Sequence, residues 1–338
     1  MGNSVSTCRR LVWLLALLPG LMALPFLEPA NIATASAWFN TLGRLTGIWG
    51  LSFLLVAAAL CCRVPGFDRP FGGLTKLWQI HHQLGAVAFL LLLAHPLLLA
   101  FAATGIALEA AMSTLFSTRV PVLWGWVALL ALMVFMAPSF GFFGEPEYQR
   151  WKILHRLSGV AVVFALVHSL MLARTWPEWL SITVWAALAS LTLMALAYRW
   201  GYARWHGRRA YRVAEVVHPA RDVVELTLRP EGEPLRYRAG QFVYLTPWSP
   251  GVPGHREEHP YTLSSAPKEP GLRLAVKDLG DASRALQRIA LDSCVWVEGP
   301  YGHFFQEQTS APELWIAGGI GITPFLGRIR DAISEGKA

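Results

Sequence analysis

The stretches WQIHHQLGAVAFLLLLAHPLLLA (residues 78–100) and WKILHRLSGVAVVFALVHSLMLA (residues 151–173) carry the same pattern at the same spacing. In each, a tryptophan stands four residues before a histidine, and a second histidine follows 13 residues later: His82 to His95, and His155 to His168. Imidazole is costly in hydrocarbon unless something binds it. Two such pairs in two apolar segments therefore indicate a functional group held between two membrane helices.

The composition places these segments in a membrane. Of 338 residues, 54% are hydrophobic and 15% are charged, against about 25% charged residues in an ordinary soluble domain. A helix that crosses a bilayer needs about 20 apolar residues, and six segments qualify, near 11–27, 43–60, 77–103, 120–137, 153–173 and 179–198. We interpret the first as a retained helix rather than a cleaved signal, because no small-residue cleavage site follows it.

Lysine and arginine predict the orientation of the helices. They cluster before helix one, between helices two and three, around the start of helix five and after helix six, and such clusters stay in the cytoplasm. We therefore expect an integral protein of a bacterial inner membrane, with both termini in the cytoplasm and the lipid bilayer around its helices. Most of the net charge of +7 belongs to this asymmetry, so nucleic acid is not expected as a partner.

This orientation places the histidines at two depths. Helices three and five both enter from the cytoplasm, so His82 and His155 lie at the inner level. His95 and His168 lie about 20 Å further along, at about 1.5 Å per residue. Each level receives one imidazole from each helix, which predicts four iron ligands for two stacked b-type haems. The alternative is that these histidines are polar residues hydrogen-bonded across a helix interface.

The helical wheel leaves a second choice open for the inner ligand of helix three. Thirteen residues at about 100° each place the second histidine about 140° from the first, whereas fourteen leave it about 40° away. The separation from His81 to His95 is fourteen, so the wheel favours His81. The internal repeat aligns His82 with His155, and we predict His82 with His81 as the rival.

The second half of the chain changes to short alternating strands. We predict strands at 211–217, 223–228, 241–245, 261–263, 272–277 and 294–298, with a helix at 283–291, a spacing typical of a small antiparallel barrel. Residues 314–325 predict an apolar strand that runs through a glycine turn into a helix. Glycines at such a junction let backbone amides approach a phosphate.

A family resemblance rests on five motifs in this half. His259-Pro-Tyr-Thr-Leu-Ser-Ser265 resembles the flavin-binding signature of the ferric reductase and NADPH oxidase family. The stretches 239–242 (AGQF), 280–283 (GDAS), 299–302 (GPYG) and 318–324 (GGIGITP) are similar to that family and follow in its order. The resemblance implies a six-helix haem domain followed by a ferredoxin-reductase-type FAD domain.

The resemblance also implies roles for matching residues. His259, Pro260, Tyr261 and Thr262 would lie along the isoalloxazine and ribityl chain of FAD. Ser264 or Ser265, with the backbone around Gly280 and Ser283, would hold the pyrophosphate. The glycine turn would supply further cofactor-binding residues, namely Gly318, Gly319, Gly321 and Thr323.

The last domain is shorter than in this family. A nicotinamide domain needs about a hundred residues, and 338 − 324 = 14 residues follow Pro324, so we expect a truncated or partial chain. We predict three domains: a six-helix transmembrane haem-binding bundle at 1–203, a small antiparallel FAD-binding β-barrel at 204–310, and the first strand, turn and helix of an α/β NAD(P)-binding domain at 311–338.

These features predict a flavohaem oxidoreductase resembling ferric reductases and NAD(P)H oxidases. Electrons would pass from NAD(P)H, bound by the complete protein, through FAD and two b-type haems to an extracytoplasmic acceptor such as ferric iron or oxygen. One alternative is a haem-bearing membrane anchor that exchanges electrons with quinol or a periplasmic partner. Another is an inactive, truncated haem-binding membrane protein. Donor and acceptor are small molecules, and the sequence indicates no particular protein partner.

Overall fold

The computed structural model describes residues 2–140, 148–172, 175–248, 255–305 and 313–336. The chain divides into two compact units. The first comprises residues 1–61 and 76–196, and the second comprises residues 62–75 and 197–338. The connection between the second and third long helices, residues 62–75, therefore belongs to the second unit. Our division at residues 203 and 310 does not include this connection in the second half, and it stays a prediction.

The first unit is helical. Its helices are α1 (Gly2–Ala23), α2 (Ala35–Ala59), α3 (Leu74–Thr104), α4 (Leu108–Leu115), α5 (Val120–Met136), α6 (Tyr148–His155), α7 (Leu157–Leu172) and α8 (Glu178–Trp205). Six helical stretches of the described chain are long and apolar enough to cross a membrane, with mean hydropathies of 1.5 to 2.4. They coincide with the six predicted segments, which confirms the transmembrane part of the predicted fold. A helix suits such a segment because it satisfies every backbone polar group internally.

Helix α2 is the central helix of this unit. Two thirds of its apolar window, 67%, is buried, against 28% or less for the other five spans. Three glycines form its contact face with α3: a Cβ atom at Gly43, Gly47 or Gly50 would lie within 2.9 Å of a side chain of that helix. Small residues at this spacing let two helix backbones approach closely.

The fifth predicted span consists of two helices. Helix α6 ends at His155 and α7 begins at Leu157, with a turn at Arg156 between them. The amide of Arg156 donates to the carbonyl of Ile153 at 3.1 Å, one residue short of the α-helical partner. The side chains of the segment are thereby rotated relative to those of an unbroken helix. Helix α7 packs on α5, where the rings of Trp124 and Phe164 stack at 4.9 Å.

The second unit is an antiparallel barrel. Its strands are β1 (Arg208–Ala220), β2 (Val223–Pro230), β3 (Phe242–Pro247), β4 (His259–Thr262), β5 (Leu272–Lys277) and β6 (Cys294–Tyr301), and they overlap the six predicted strands. The order across the sheet is β4-β3-β6-β1-β2-β5, and a bridge between Leu263 and Leu274 joins its two edges. This closure confirms the predicted antiparallel barrel.

Alternation along the strands builds the barrel core. Successive side chains of a strand point to opposite faces, and in β5 every second residue is buried. The inward positions are apolar and fully enclosed, as at Val213, Leu226, Leu245 and Val297. A short helix, α9 (Asp281–Leu286), adds Leu286 to this core. The predicted helix at 283–291 therefore exists but begins and ends earlier.

The predicted strand at the start of the last domain does not form. Residues 313–318 have no regular structure, and the side chains of Leu314 and Ile316 are 87% and 82% exposed. A parallel strand is stable only when strands pair beside it, and no described strand lies next to this segment. The helix of the motif does form, as α10 (Thr323–Ser334) after a 3₁₀ turn at Gly319–Ile322. Phe325 is buried against Trp315 and Phe305.

Candidate functional site

Two histidine pairs face each other in the first unit. The rings of His95 in α3 and His168 in α7 have centroids 6.1 Å apart, and the same distance separates the rings of His81 in α3 and His155 at the end of α6. Two imidazoles that bind one metal ion through nitrogens about 2.0 Å from it have ring centres about 6 Å apart. Each pair therefore has the separation that a shared iron requires.

In the inner pair, His81 rather than the predicted His82 faces His155. The side chain of His82 is exposed, and His81 is the residue opposite His155. Helix α3 is continuous from Leu74 to Thr104, so only a fourteen-residue separation returns to nearly the same face. In the segment that contains α6 and α7, a separation of thirteen residues brings both histidines to the same face, because the turn at Arg156 rotates His155 relative to His168.

Backbone carbonyls orient three of the four facing histidines. Nδ1 of His95 donates to the carbonyl of Gly43 at 2.6 Å, and Nδ1 of His168 donates to the carbonyl of Pro121 at 2.7 Å. Nδ1 of His81 donates to the carbonyl of Ala57 at 2.7 Å. Because a carbonyl only accepts, the proton must lie on Nδ1, and the lone pair lies on Nε2. Metal-binding histidines commonly have such a second partner, which fixes ring orientation and tautomer.

Two glycines leave room for the hydrogen bonds of the outer histidines, His95 and His168. A Cβ atom at Gly47 in α2 would lie 2.7 Å from Nδ1 of His95, and one at Gly125 in α5 would lie 2.7 Å from Nδ1 of His168. Each glycine lies four residues after the residue whose carbonyl accepts the hydrogen bond of the same histidine. Sequence reasoning missed both, because nothing in either helix alone shows which histidine packs against it.

His155 is held by aromatic rings. Its imidazole stacks on Trp151 at 4.9 Å and meets Phe135 edge-on at 5.2 Å. Its Nδ1 is buried and has no hydrogen-bond partner among the described residues. The tryptophan four residues before His155 thus packs directly on the facing histidine.

A cavity of about 510 Å³ lies at the outer pair. His95 and His168 line it, together with Gly47, Gly125 and the cationic Arg44 and Arg119; most of the remaining lining is apolar. Cofactor sites commonly enclose about 300–1,000 Å³ with apolar walls and a few polar groups. The room, the histidines and the two arginines suit a flat, apolar macrocycle that carries carboxylates.

A second cavity, of about 800 Å³, lies in the second unit. Eight residues predicted to bind cofactor line it: His259, Pro260, Tyr261, Thr262, Gly280, Ser283, Gly321 and Thr323. They come from β4, from the turn that starts α9, and from the turn that starts α10. Sequence motifs far apart in the chain are thus brought to one cleft.

Tyr261 is the main aromatic surface among these predicted residues. It lies in β4 and packs against the barrel core, and burial raises its pKa to about 12. The phenol therefore stays neutral at physiological pH, as a ring that stacks on a flavin should. Ser283 is engaged by its own turn, where Oγ donates to the carbonyl of Gly280 at 2.9 Å and accepts from the amide of Leu279 at 2.8 Å.

The structure does not bring Ser264 and Ser265 to the cavity. Both are fully buried, and neither lines the cleft. The hydroxyl of Ser265 contacts the hydroxyl of Tyr237 at 2.6 Å and accepts from the amide of Arg273 at 3.0 Å, so it ties β4 to β5. Their role as pyrophosphate ligands stays a prediction, since their buried side chains lie outside the cavity lining. Gly318 and Gly319 also lie outside the lining.

Sequence reasoning overlooked other residues of this cavity. Thr75, Gly240, Phe242, His303 and Phe304 also line it. Two of them, Gly240 and Phe242, belong to the AGQF stretch, which resembles the family without indicating a role for each residue. Thr75 carries no local signal, because it enters the second unit only through the 62–75 connection.

An ion cluster anchors that connection to the barrel. Arg63 donates to Glu258 at 2.8 Å and to Glu298 at 3.1 Å, and Arg199 lies 3.0 Å from Glu298. The hydroxyl of Tyr301 donates to Glu298 at 2.8 Å. Burial alone lowers the pKa of Arg63, but Glu298 and Glu258 outweigh it and raise that pKa above its ordinary value. Arg63 therefore stays cationic although it is only 7% exposed.

The comparison with protein families finds a membrane component followed by an FAD-binding domain, in the order of the two units. Residues 46–166 match the family described as ferric reductase like transmembrane component, and residues 208–321 match an FAD-binding domain. The first match spans all the facing histidines except His168. The second includes the predicted flavin signature and ends two residues before Thr323.

Curated relatives are oxidases. Respiratory burst oxidase homolog protein E of Arabidopsis thaliana is 25% identical over 54% of this chain and 21% of its own length. A superoxide-generating NADPH oxidase heavy chain of Dictyostelium discoideum is 24% identical over 64% of this chain and 33% of its own length. Human dual oxidase 1 is 32% identical over 31% of this chain and 7% of its own length. The chain thus spans a third or less of the length of these relatives. With a ferric reductase like transmembrane component placed before an FAD-binding domain, and with oxidases among its relatives, the chain matches the ferric reductase and NADPH oxidase family.

Proposed function

We propose that this protein is a transmembrane electron-transfer oxidoreductase. Electrons from NAD(P)H pass through FAD and two b-type haems to an acceptor on the far side of the membrane. The observation that carries the proposal is the double histidine pair, because two facing imidazoles recur at the same separation of 6.1 Å at two levels, between α3 and α6 and between α3 and α7.

We assign His81 and His155 to the inner haem, and His95 and His168 to the outer haem. A bound haem supplies one-electron chemistry at its iron. The chain orients the imidazoles through the carbonyls of Gly43, Pro121 and Ala57 and encloses them in apolar helices. Gly85 and Gly159 support this assignment, because each follows its inner histidine by four residues and no other atom lies within 4 Å of a Cβ atom built there.

We assign the second cavity to FAD. Tyr261 offers a stacking face, and Thr262 offers a hydroxyl beside it. The turn at Gly280 and Ser283 offers backbone amides, and Lys277 adds a positive charge to the lining. A flavin suits this position in the pathway, because nicotinamide donates two electrons together while haem accepts one.

The acceptor belongs to a small-molecule class. His95 and His168 would hold the outer haem, which would supply one-electron chemistry to the acceptor. Ferric iron agrees with the family of the membrane component, and oxygen agrees with the name of the Dictyostelium relative. Cytoplasmic placement of both termini and of the FAD domain follows from the arginine distribution, while origin in a bacterial inner membrane stays a prediction beside eukaryotic relatives.

The experiment uses the full chain purified after expression with ample haem. We expect a low-spin difference spectrum between dithionite-reduced and oxidised samples, two haems per chain, and one bound FAD. The variant His95→Ala/His168→Ala should retain one haem, and His81→Ala should lose the inner one. His82→Ala is the matched control and should keep both haems.

The outcomes separate the candidates. Unchanged haem content in the His95→Ala/His168→Ala variant would overturn the two-haem assignment. Haem without flavin would instead support the membrane-anchor alternative. Haem reduction driven by NADPH would distinguish an active enzyme from a chain that only binds its cofactors.

A further inference from the structure

An acidic side chain and a histidine form a buried pair at the edge of the flavin cavity. His303 follows β6 and lines the cavity, whereas Asp68 comes from the 62–75 connection. Nε2 of His303 lies 3.5 Å from Oδ2 of Asp68, and the two side chains are only 10% and 3% exposed. Both residues belong to the second unit, but 235 positions of sequence separate them.

The connection holds Asp68 rigidly against the ring. The carbonyl of Asp68 accepts from the amides of Phe71 and Gly73, each at 3.1 Å, which closes a tight turn. Gly73 has φ +108°, a region that favours glycine, and a Cβ atom there would lie 3.5 Å from Cδ2 of His303. The backbone of this turn therefore packs directly on the imidazole.

The polar atoms of the pair are left unsatisfied. Nδ1 of His303 is buried and has no hydrogen-bond partner among the described residues, and Oδ2 of Asp68 has none either. Buried polar atoms in native proteins are nearly always paired, so an exception calls for an explanation. Protonation of the ring would turn the contact with Asp68 into a charge-assisted hydrogen bond, which is shorter and stronger than a neutral one.

We propose that His303, held by Asp68, takes up a proton when the bound flavin is reduced. This inference rests on the proposed function, because it requires FAD in the cavity that His303 lines. Hydride transfer breaks a C–H bond of the nicotinamide and forms an N–H bond on the flavin, which leaves the flavin with one added negative charge. A proton from water then binds the imidazole, and its positive charge compensates that negative charge.

The surrounding charges agree with such a switch. Burial is the largest influence on His303 and lowers its pKa; Asp68 raises that pKa, while Arg69 and Arg238 lower it. With these charged groups facing it, the ring is neutral near pH 7 before reduction. A new negative charge in the cavity that His303 lines favours the protonated form of this histidine, so reduction of the bound flavin raises the fraction of His303 that is protonated.

The test measures proton uptake by the full FAD-loaded chain. The flavin midpoint potential is titrated against pH by spectroelectrochemistry, with flavin fluorescence as the readout and FAD affinity measured in parallel. One proton per two electrons changes the potential by about 30 mV per pH unit. Over the range where His303 titrates, we expect the potential of the unmodified chain to fall about 30 mV per pH unit more steeply than that of His303→Asn.

Two further variants complete the test. Asp68→Asn should move to lower pH the range in which the flavin potential falls more steeply, because Asp68 favours the protonated form of His303. His206→Asn, at an exposed histidine outside the cavity lining, should follow the unmodified chain. The proposal is overturned if His303→Asn binds FAD and keeps the full slope. If that variant binds too little FAD to be measured, an unshifted range in Asp68→Asn overturns it.

Failure of the proposed function gives a different result. A chain that shows the expected slopes but never passes electrons from FAD to haem would retain the role of His303 and lose the electron-transfer pathway.

Discussion

The outer histidines depend on glycines of neighbouring helices. An imidazole reaches a helix carbonyl only where no side chain covers the carbonyl, and Gly47 and Gly125 leave those positions bare. In His95 the hydrogen bond to Gly43 fixes the tautomer, so that Nε2 faces His168. The orientation of these two imidazoles is therefore set by α2 and α5, although the histidines lie in α3 and α7.

Gly47→Ala should weaken the outer haem site. The added methyl group overlaps Nδ1 of His95 and displaces the ring, and loss of such a supporting contact typically lowers metal affinity by about 10- to 100-fold. Haem titration of the purified chain, followed by the low-spin spectrum, measures the effect.

Gly50→Ala is the matched control for Gly47→Ala. It crowds Leu92 in the same helix interface but touches no histidine. Equal losses of haem affinity in both variants would show that helix packing, not the hydrogen bond of His95, is responsible.

Tyr261→Ala should weaken FAD binding, whereas Tyr261→Phe should not. Stacking of an aromatic side chain on a base is worth about 1–3 kcal/mol, which corresponds to roughly a 5- to 150-fold change in the dissociation constant. The phenylalanine variant keeps the ring, and the raised pKa of Tyr261 means that it loses no negative charge. Fluorescence titration with FAD measures the dissociation constant of each variant. An equal loss of FAD affinity in both variants would assign the effect to the hydroxyl.

Helices and strands were predictable where one periodic pattern decides them. The alternation in β2 and β5 and the long apolar runs identified those elements because each pattern can be read within a single segment. The choice between His81 and His82 was not decided locally, since the break at Arg156 lets one segment use thirteen residues while unbroken α3 uses fourteen. Ser264 and Ser265 looked like ligands in a motif, but both follow the closing bridge at Leu263 and are buried outside the cavity lining.

The 62–75 connection should stabilise the barrel through Arg63. Arg63→Ala removes the most deeply buried cation of the cluster, and removing one member of a buried ion pair commonly costs about 3–5 kcal/mol. Arg199, 3.0 Å from Glu298, remains and offsets part of this loss. We expect a lower free energy of unfolding for the second unit, measured on the full chain by denaturant titration with flavin fluorescence.

A surface arginine provides the comparison for Arg63. Arg229 pairs with Asp292 at 4.0 Å with both side chains exposed, and such pairs are worth about 0–1 kcal/mol. Arg229→Ala should therefore leave the denaturant midpoint nearly unchanged. A similar small effect of Arg63→Ala would mean that the cluster does not anchor the connection.

At the scale of the whole molecule, each unit has its own cavity that we assign to a cofactor. The cavity at His95 and His168 is lined wholly by residues of the first unit, and the flavin cavity wholly by residues of the second. A ligand that binds only the folded state stabilises it, by about 2.7 kcal/mol at a hundred times its dissociation constant. FAD and haem should therefore stabilise different parts of the chain.

Hydrogen exchange of the full chain with and without FAD tests this division. We expect FAD to slow amide exchange in the barrel and also in residues 62–75, while α2 and α5 are unaffected. Haem should produce the reverse pattern. Unchanged exchange at 62–75 on addition of FAD would contradict the assignment of the connection to the second unit.

The position of Arg63 has a consequence for synthesis on the ribosome. Its partner Glu298 follows 235 residues later, and a ribosome that adds about 5–20 residues per second needs on the order of 10–50 s to reach it. During this time the nascent connection carries an arginine and an aspartate without their partners, while four more spans enter the bilayer. Slower elongation would lengthen the exposure of residues 62–75 to proteases and chaperones, so the yield of folded protein should depend on translation speed.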